Sequence, residues 1–404
     1  MKTSTMKTID HYVGIPVCLF LDIVQRLRAL FPERQVSVYR RILVMKFFGM
    51  GSILLASPML RAIKARHPET RIGFLTFEAN RDIVTRLGLV DDVYTLRTGT
   101  LRQFAGDLLR ALRAIRRARY DVTIDMEFFS KFSTIITYLS GSPVRIGYFM
   151  RQLWRGDLLT EQIYYNHFKH ITEVIGALAV PLDVSITDGT IQRPMISASD
   201  LERASQLLTA EGVGPDELVI AFNVNVSDLS LERRWPKEHF QQLAAALLLE
   251  LDARLLFVGG AGDMSYVSEV IAPFTGNDRV IALAGRTSLG ELLGVMTHCD
   301  LFITNDSGPL HLAASLGIPT VSFFGPETPV LYGPRGGDAL IFHEELYCSP
   351  CLNVFNVKTA PCAGRNLCLS AIKVDTVLTS IRSHFAGLWE QHGTMTLRAT
   401  GKSN

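Results

Sequence analysis

The 404-residue chain has almost no net charge: 41 Lys and Arg against 39 Asp and Glu leave +2. A general nucleic-acid binder carries a much larger basic excess, so that class is excluded. No apolar run is long enough to read as a membrane-spanning helix. The nearest stretch, Val13 to Leu30, is interrupted by Asp22, Gln25, Arg26 and Arg28. No small-residue cleavage site follows it, so it does not read as a signal peptide. The full G-x-G-x-x-G spacing and its distal acid are also missing, which disfavours a nicotinamide cofactor. Short repeats and low-complexity tracts are lacking as well.

Hydrophobic residues make up 48% and charged residues 20%, the balance of a globular protein with filled cores. The length favours two domains. In the first half, β-rich runs occur at Arg41–Phe47, Arg71–Phe77, Asp92–Leu96, Asp121–Glu127 and Val144–Tyr148, with helical patterns between them. The second half repeats the plan with Leu218–Val224, Arg254–Gly260, Val280–Gly285, Leu301–Asn305 and Thr320–Gly325. Such alternation predicts parallel sheets covered by helices on both faces. The expected fold is α/β, two Rossmann-like doubly wound domains facing a central cleft. Its parts are an amphipathic extension (1–38), a first domain (39–190), a second domain (191–385) and a flexible tail (386–404). The stretch 181–200, with Pro181 and Pro194, reads as the linker. Val13–Leu30 becomes an amphipathic helix, its apolar side on the protein and its basic side toward solvent or anionic lipid.

The segment from Leu301 to Gly325 is the most informative. A buried strand ends at Asn305; Asp306 and Ser307 suit an N-cap, and Pro309 suits the first helical turn. Gly308 allows close backbone approach, and Gly317 ends the helix before Pro319. The result is a helix N-terminus able to receive a diphosphate, with His311 as a further donor. The alternative is a plain capped helix with a packed histidine.

With four further segments, this stretch carries a resemblance. NDSGPLHLAASLGIPTVSFFGP, Arg41–Pro58, Arg234–Phe240, Val258–Asp263 and Leu283–Leu289 resemble, in order and spacing, glycosyltransferase family 9, the ADP-heptose:lipopolysaccharide heptosyltransferases. The resemblance implies the two-lobed GT-B fold, inverting transfer and no catalytic metal. It implies that a basic residue before Trp235-Pro236 meets the donor phosphates, here Arg233 with Arg234 beside it. A guanidinium matches two phosphate oxygens at once. Asn225 and Ser227 are placed to touch the same phosphates. Asp263 either caps its helix or, by similarity, holds the nucleotide ribose.

The glycine loop Phe47-Phe48-Gly49-Met50-Gly51-Ser52 departs from that family, whose usual Gly-Asp supplies the base. Here Ser52 follows Gly51, and a serine is no general base at neutral pH without a partner. Asp125 and Glu127 share one face of an extended strand, and Glu127 is the preferred replacement base. Lys131, four residues on, is the candidate for an acceptor phosphate or carboxylate. The Leu101–Arg119 helix carries six arginines, an exposed basic face or an attraction to a lipid acceptor.

Cys348, Cys351, Cys362 and Cys368 lie within 21 residues. The second pair is spaced by five rather than two, so structural zinc, disulfides and free thiols all remain open. The stretch Asp375 to Glu390 is expected to cross back onto the first domain.

The leading function is a cytoplasmic inverting transferase of a heptose from a nucleotide-diphosphate donor to a lipid-linked or oligosaccharide acceptor. It includes peripheral contact with the inner membrane face. Two alternatives stand beside it. One is a nucleotide-sugar 2-epimerase on the same fold. The other is a non-catalytic nucleotide-sugar-binding protein, because Ser52 replaces the family Asp.

Overall fold

The computed structural model describes residues 8, 10–28, 38–151, 154–227, 230–354, 356, 360, 362 and 365–392. The chain divides into two compact units, the first from residues up to Gln192 and the second almost wholly from Arg193 onwards.

In the first unit, β1 (Arg41–Met45), β2 (Arg71–Phe77), β3 (Asp92–Leu96), β4 (Val122–Asp125), β5 (Val144–Phe149) and β6 (Glu161–Tyr164) form one sheet. Their order is β3-β2-β1-β4-β5-β6, with every pair parallel. Parallel strands are covered on both faces, which is why Ile42, Leu43, Val44 and Met45 are all buried. The order reverses between β1 and β4, and at such a switch point the two following loops diverge and leave room at the strand ends.

The second unit repeats this arrangement with β7 (Leu218–Asn223), β8 (Ala253–Phe257), β9 (Val280–Ala282), β10 (Leu301–Asn305), β11 (Thr320–Phe324) and β12 (Ala339–His343). The order β12-β11-β10-β7-β8-β9 places its switch point between β7 and β10. Aromatic rings fill the core beside these strands. Trp235 stacks on Phe323 with centroids 4.1 Å apart, and Phe222 on Phe257 at 4.9 Å. Strands β6 and β12 go beyond the sequence reading. Both are part-exposed edge strands; β6 (EQIY) lacks the apolar run of the inner strands, whereas β12 (ALIFH) has one.

Three expectations change. The helix Val374–His384 packs within the second unit. Val377 and Ile381 join the second unit's core, and the Trp235 indole donates to Ile372 O at 3.1 Å. Ala386–His392, expected as flexible tail, is helical, and Trp389 donates to Glu250 at 3.0 Å. Positions 393–404 lie outside the described residues.

The N-terminal helix Gly14–Arg28 is present with Arg26 and Arg28 exposed as expected, but large apolar side chains expected against the protein are exposed too. Its inward side is narrow and made of Gly14 and Cys18, while Tyr12, Phe20, Ile23 and Leu27 are exposed. The fit is set by size: a Cβ on Gly14 would stand 2.6 Å from the Lys131 side chain. The Asp10 carboxylate then accepts from Lys131 N and Phe132 N, at 3.1 and 2.7 Å, capping the Lys131–Leu139 helix from outside its own sequence.

Candidate functional site

At the second unit's switch point, three asparagines close the strand ends. Asn305 donates to Val224 O at 2.9 Å and accepts from Trp235 N at 2.8 Å, so β7, β10 and the loop before Trp235 are tied at one residue. Asn223 donates to Thr304 Oγ1 and Ser307 Oγ, at 3.0 and 2.9 Å. Because Ser307 Oγ is engaged there, it makes no capping bond to its own helix, Gly308–Leu316. The first amides of that helix are therefore left to other acceptors, and Pro309 in its first turn adds no amide of its own. Gly317 ends the helix in the left-handed region at φ 80°.

Asn225 is the third. It is 3% exposed, and neither atom of its side-chain amide has a hydrogen-bond partner. Its nitrogen lies against Gly259, where an added Cβ would approach it to 2.8 Å. A buried, unpaired amide costs about 1–3 kcal/mol, so its retention marks a site that satisfies it with something other than protein.

Arg233 completes the group. Its guanidinium donates to Asp306 O and Asp306 Oδ2, at 3.2 and 3.3 Å, and to Ser227 Oγ at 2.8 Å. Arg234 instead lies over the Tyr266 ring at 4.0 Å, so only the first arginine faces the helix end. Immobilised Trp235 is what orients the pair. His311 is buried in the first helical turn, and Asp306 and Ser307 are buried beside it. The Asp263 carboxylate turns back to accept from Gly260 N at 2.8 Å, which is a loop-capping contact.

The first unit treats its residues differently from the sequence expectation. Glu127 is 1% exposed. One of its oxygens meets Lys46 Nζ at 3.0 Å, and the other accepts from Phe47 N and Phe48 N at 2.7 and 3.1 Å. This carboxylate builds the glycine loop and leaves no face for an acceptor hydroxyl, which corrects its assignment as a base. Asp125 is buried against Arg155 and Ser133 Oγ. Burial, outweighing the Arg155 charge, raises its pKa to about 6. Lys131 is corrected too. It is 5% exposed and lies under the N-terminal segment, its Nζ 3.9 Å from Asp10. Ser52 is half-buried beside Gly49, whose φ of 85° is the left-handed conformation that favours glycine.

The four late cysteines are free thiols. Burial first, then the other three sulfurs, push Cys351 up to about 11, so the four are electrostatic neighbours. Among the described residues, no three His, Cys, Asp or Glu side chains are grouped to hold a metal ion.

Sequence reasoning missed Asn223, Asn305 and Lys46. The signal for all three is a polar residue at the end of an apolar strand, in AFNVNVS, LFITND and RILVMKFF.

The sequence profile of glycosyltransferase family 9 (heptosyltransferase) matches residues 108–359. Lipopolysaccharide heptosyltransferase 2 of Escherichia coli K12 is 26% identical over 322 residues, 74% of this chain and 87% of that protein. The crystal structure of a family 9 glycosyl transferase from Veillonella parvula superposes with TM-score 0.71 at 22% identity, covering 87% of this chain and 98% of that one. The E. coli heptosyltransferase WaaC with ADP superposes at 0.61 and 18%, covering 85% and 99%. With two Rossmann-like units and a profile match over more than half its length, the chain belongs to glycosyltransferase family 9, the heptosyltransferases.

Proposed function

We propose that this enzyme transfers a heptose from ADP-heptose to a lipopolysaccharide core or related glycan acceptor, with inversion and without a catalytic metal. The observation that carries the donor side is Asn225, buried with both amide atoms unpartnered, beside Arg233 and an uncapped helix end. A nucleoside diphosphate supplies acceptors for all of them. The free amides of Gly308–Leu316, Arg233 and His311 would stabilise charge on the departing diphosphate. The heptose and the acceptor class are carried over from the lipopolysaccharide heptosyltransferase relative, and ADP from the WaaC structure, which holds that nucleotide.

The acceptor side lacks the family carboxylate. With Ser52 in its place and Glu127 engaged by Lys46, neither side chain is set to take the hydroxyl proton. The deciding experiment titrates the protein with ADP, UDP and GDP by calorimetry. It then supplies ADP-heptose with a heptose-deficient lipopolysaccharide acceptor and follows transfer by mass spectrometry. ADP should bind most tightly and the acceptor should gain one heptose. Binding of none of the three nucleotides would overturn the reading.

A further inference from the structure

The N-terminal helix presents large apolar side chains to solvent along one side. Tyr12, Leu19, Phe20, Ile23 and Leu27 are all exposed, Tyr12 at 73% and Phe20 at 63%. Leu19, Ile23 and Leu27 are spaced by four and Phe20 stands three before Ile23, which puts them on one stripe of the helix, with Tyr12 just before its start. Trp154, 62% exposed, lies in the segment that runs beside this helix. Asp157 N donates to Asp22 at 3.1 Å, and a Cβ on Gly156 would stand 3.1 Å from Cys18 O. A contiguous apolar surface of this kind is not left bare without a use.

The surround is mainly basic, with Asp22, paired to Arg26 at 3.2 Å, and the exposed Asp157 as its acids, and this balance selects the occupant. Arg26 and Arg28 are exposed on the same helix, and Arg28 lies over the Tyr138 ring at 5.9 Å. Tyr138 belongs to the Lys131–Leu139 helix, which also touches the arginine-rich Leu101–Ala118 helix. Phe104 meets Phe132 there at 5.4 Å, and Arg116 donates to Leu139 O at 2.8 Å. Arg102, Arg113, Arg117 and Arg119 of that neighbouring segment are exposed as well. An apolar protein partner would not favour such a cationic surround, whereas an anionic bilayer satisfies both parts. Acyl chains take the stripe, phosphate headgroups take the guanidinium groups, and an exposed tryptophan suits the boundary between them.

We infer that the Gly14–Arg28 helix lies in the plane of an anionic phospholipid surface, its Phe20–Ile23–Leu27 side inserted and its arginines at the headgroups. This goes beyond the transfer reaction proposed above. Vesicle binding needs neither donor nor acceptor, so it can fail while transfer stands, and the reverse.

The test is co-sedimentation of the full chain with vesicles of phosphatidylglycerol and phosphatidylethanolamine, against pure phosphatidylcholine. The wild type should sediment with the anionic vesicles and be released by salt. F20E/I23E/L27E should lose at least tenfold in partitioning while keeping the wild-type melting temperature and ADP affinity. A second variant, R26E/R28E, changes charge alone and should lose a smaller part. Equal sedimentation of the triple variant and the wild type would overturn the inference, as would no sedimentation of the wild type. So would light scattering that finds a wild-type dimer which the triple variant converts to a monomer, since the stripe would then be an interface between copies.

Discussion

Glu127 and Lys46 meet at 3.0 Å with both side chains almost wholly out of solvent, and the same carboxylate holds the amides of Phe47 and Phe48. The pair belongs to the scaffold under the glycine loop. Removing one charge from a buried pair strands the other, at about 3 kcal/mol or more. Glu127→Gln should therefore lower the urea midpoint and the transfer rate together, while ADP affinity changes by no more than roughly a factor of two, because the donor residues sit in the other unit. Adding Lys46→Met to Glu127→Gln should restore part of the stability. A variant as stable as the wild type but inactive would instead return Glu127 to the chemistry.

A second buried carboxylate makes stability depend on pH in an unusual direction. Burial raises Asp125 from 3.8 to about 6, so the folded state holds its proton more tightly than the unfolded chain does. Its contribution is fully present below pH 3.8 and is lost as pH rises to about 6, by at most about 3 kcal/mol. Asp91 and Glu217, both held below their ordinary values in the folded state, work the other way in acid. The isolating measurement is the stability difference between wild type and Asp125→Asn at several pH values. That difference should shrink from pH 4 to pH 6 and then stay level.

The strand-helix alternation and the turn from Asn305 to Gly308 are legible because each is written in adjacent residues. Apolar runs, Asp-Ser-Gly-Pro and Gly317 act over one or two turns. What is not legible depends on distant chain. Nothing near Glu127 announces that Lys46, 81 positions away, takes its charge. Lys131 reads as a surface residue until Gly14 and Asp10 arrive from the N-terminus to cover it. The helix Gly14–Arg28 reads as amphipathic with its arginines outward, as they are, but Phe20, Ile23 and Leu27, expected against the protein, are exposed as well. Periodicity gives two faces, and only the small inward residues Gly14 and Cys18 decide which one the neighbouring helix accepts.

Ser52 offers a test by gain of function. A general base contributes about 10²–10⁴ in rate, and the loop here carries a hydroxyl where the family carries a carboxylate. Ser52→Asp should raise kcat by about tenfold or more, with a limb falling in acid, and Ser52→Ala should stay within about threefold of wild type. A collapse of kcat in Ser52→Ala would make the hydroxyl itself part of the chemistry.

Gly259 sets the wall behind Asn225. In Gly259→Ala the new Cβ would meet Asn225 Nδ2 at 2.8 Å and Asp263 Cβ at 2.9 Å, closer than real contacts allow. Something must move, at about 1–3 kcal/mol for an overpacked position. Calorimetry should find weaker ADP binding, and the melting temperature should fall. An unchanged ADP affinity would separate Asn225 from the nucleotide site.

Asn225 supplies the sharpest separation of binding from folding. Its amide lies buried with no partner in the nucleotide-free protein, which costs about 1–3 kcal/mol. Asn225→Ala removes that cost along with the side chain, so the free variant should be as stable as wild type or more so. If the amide waits for a phosphate or sugar oxygen, ADP affinity should drop by about tenfold in the same variant, near 1.4 kcal/mol. Arg233→Lys should lose a similar factor without gaining stability, because a lysine cannot reach Asp306 and a diphosphate with one planar fork. A residue that only filled space would give the opposite result in Asn225→Ala: lower stability from the cavity and an unaltered nucleotide isotherm.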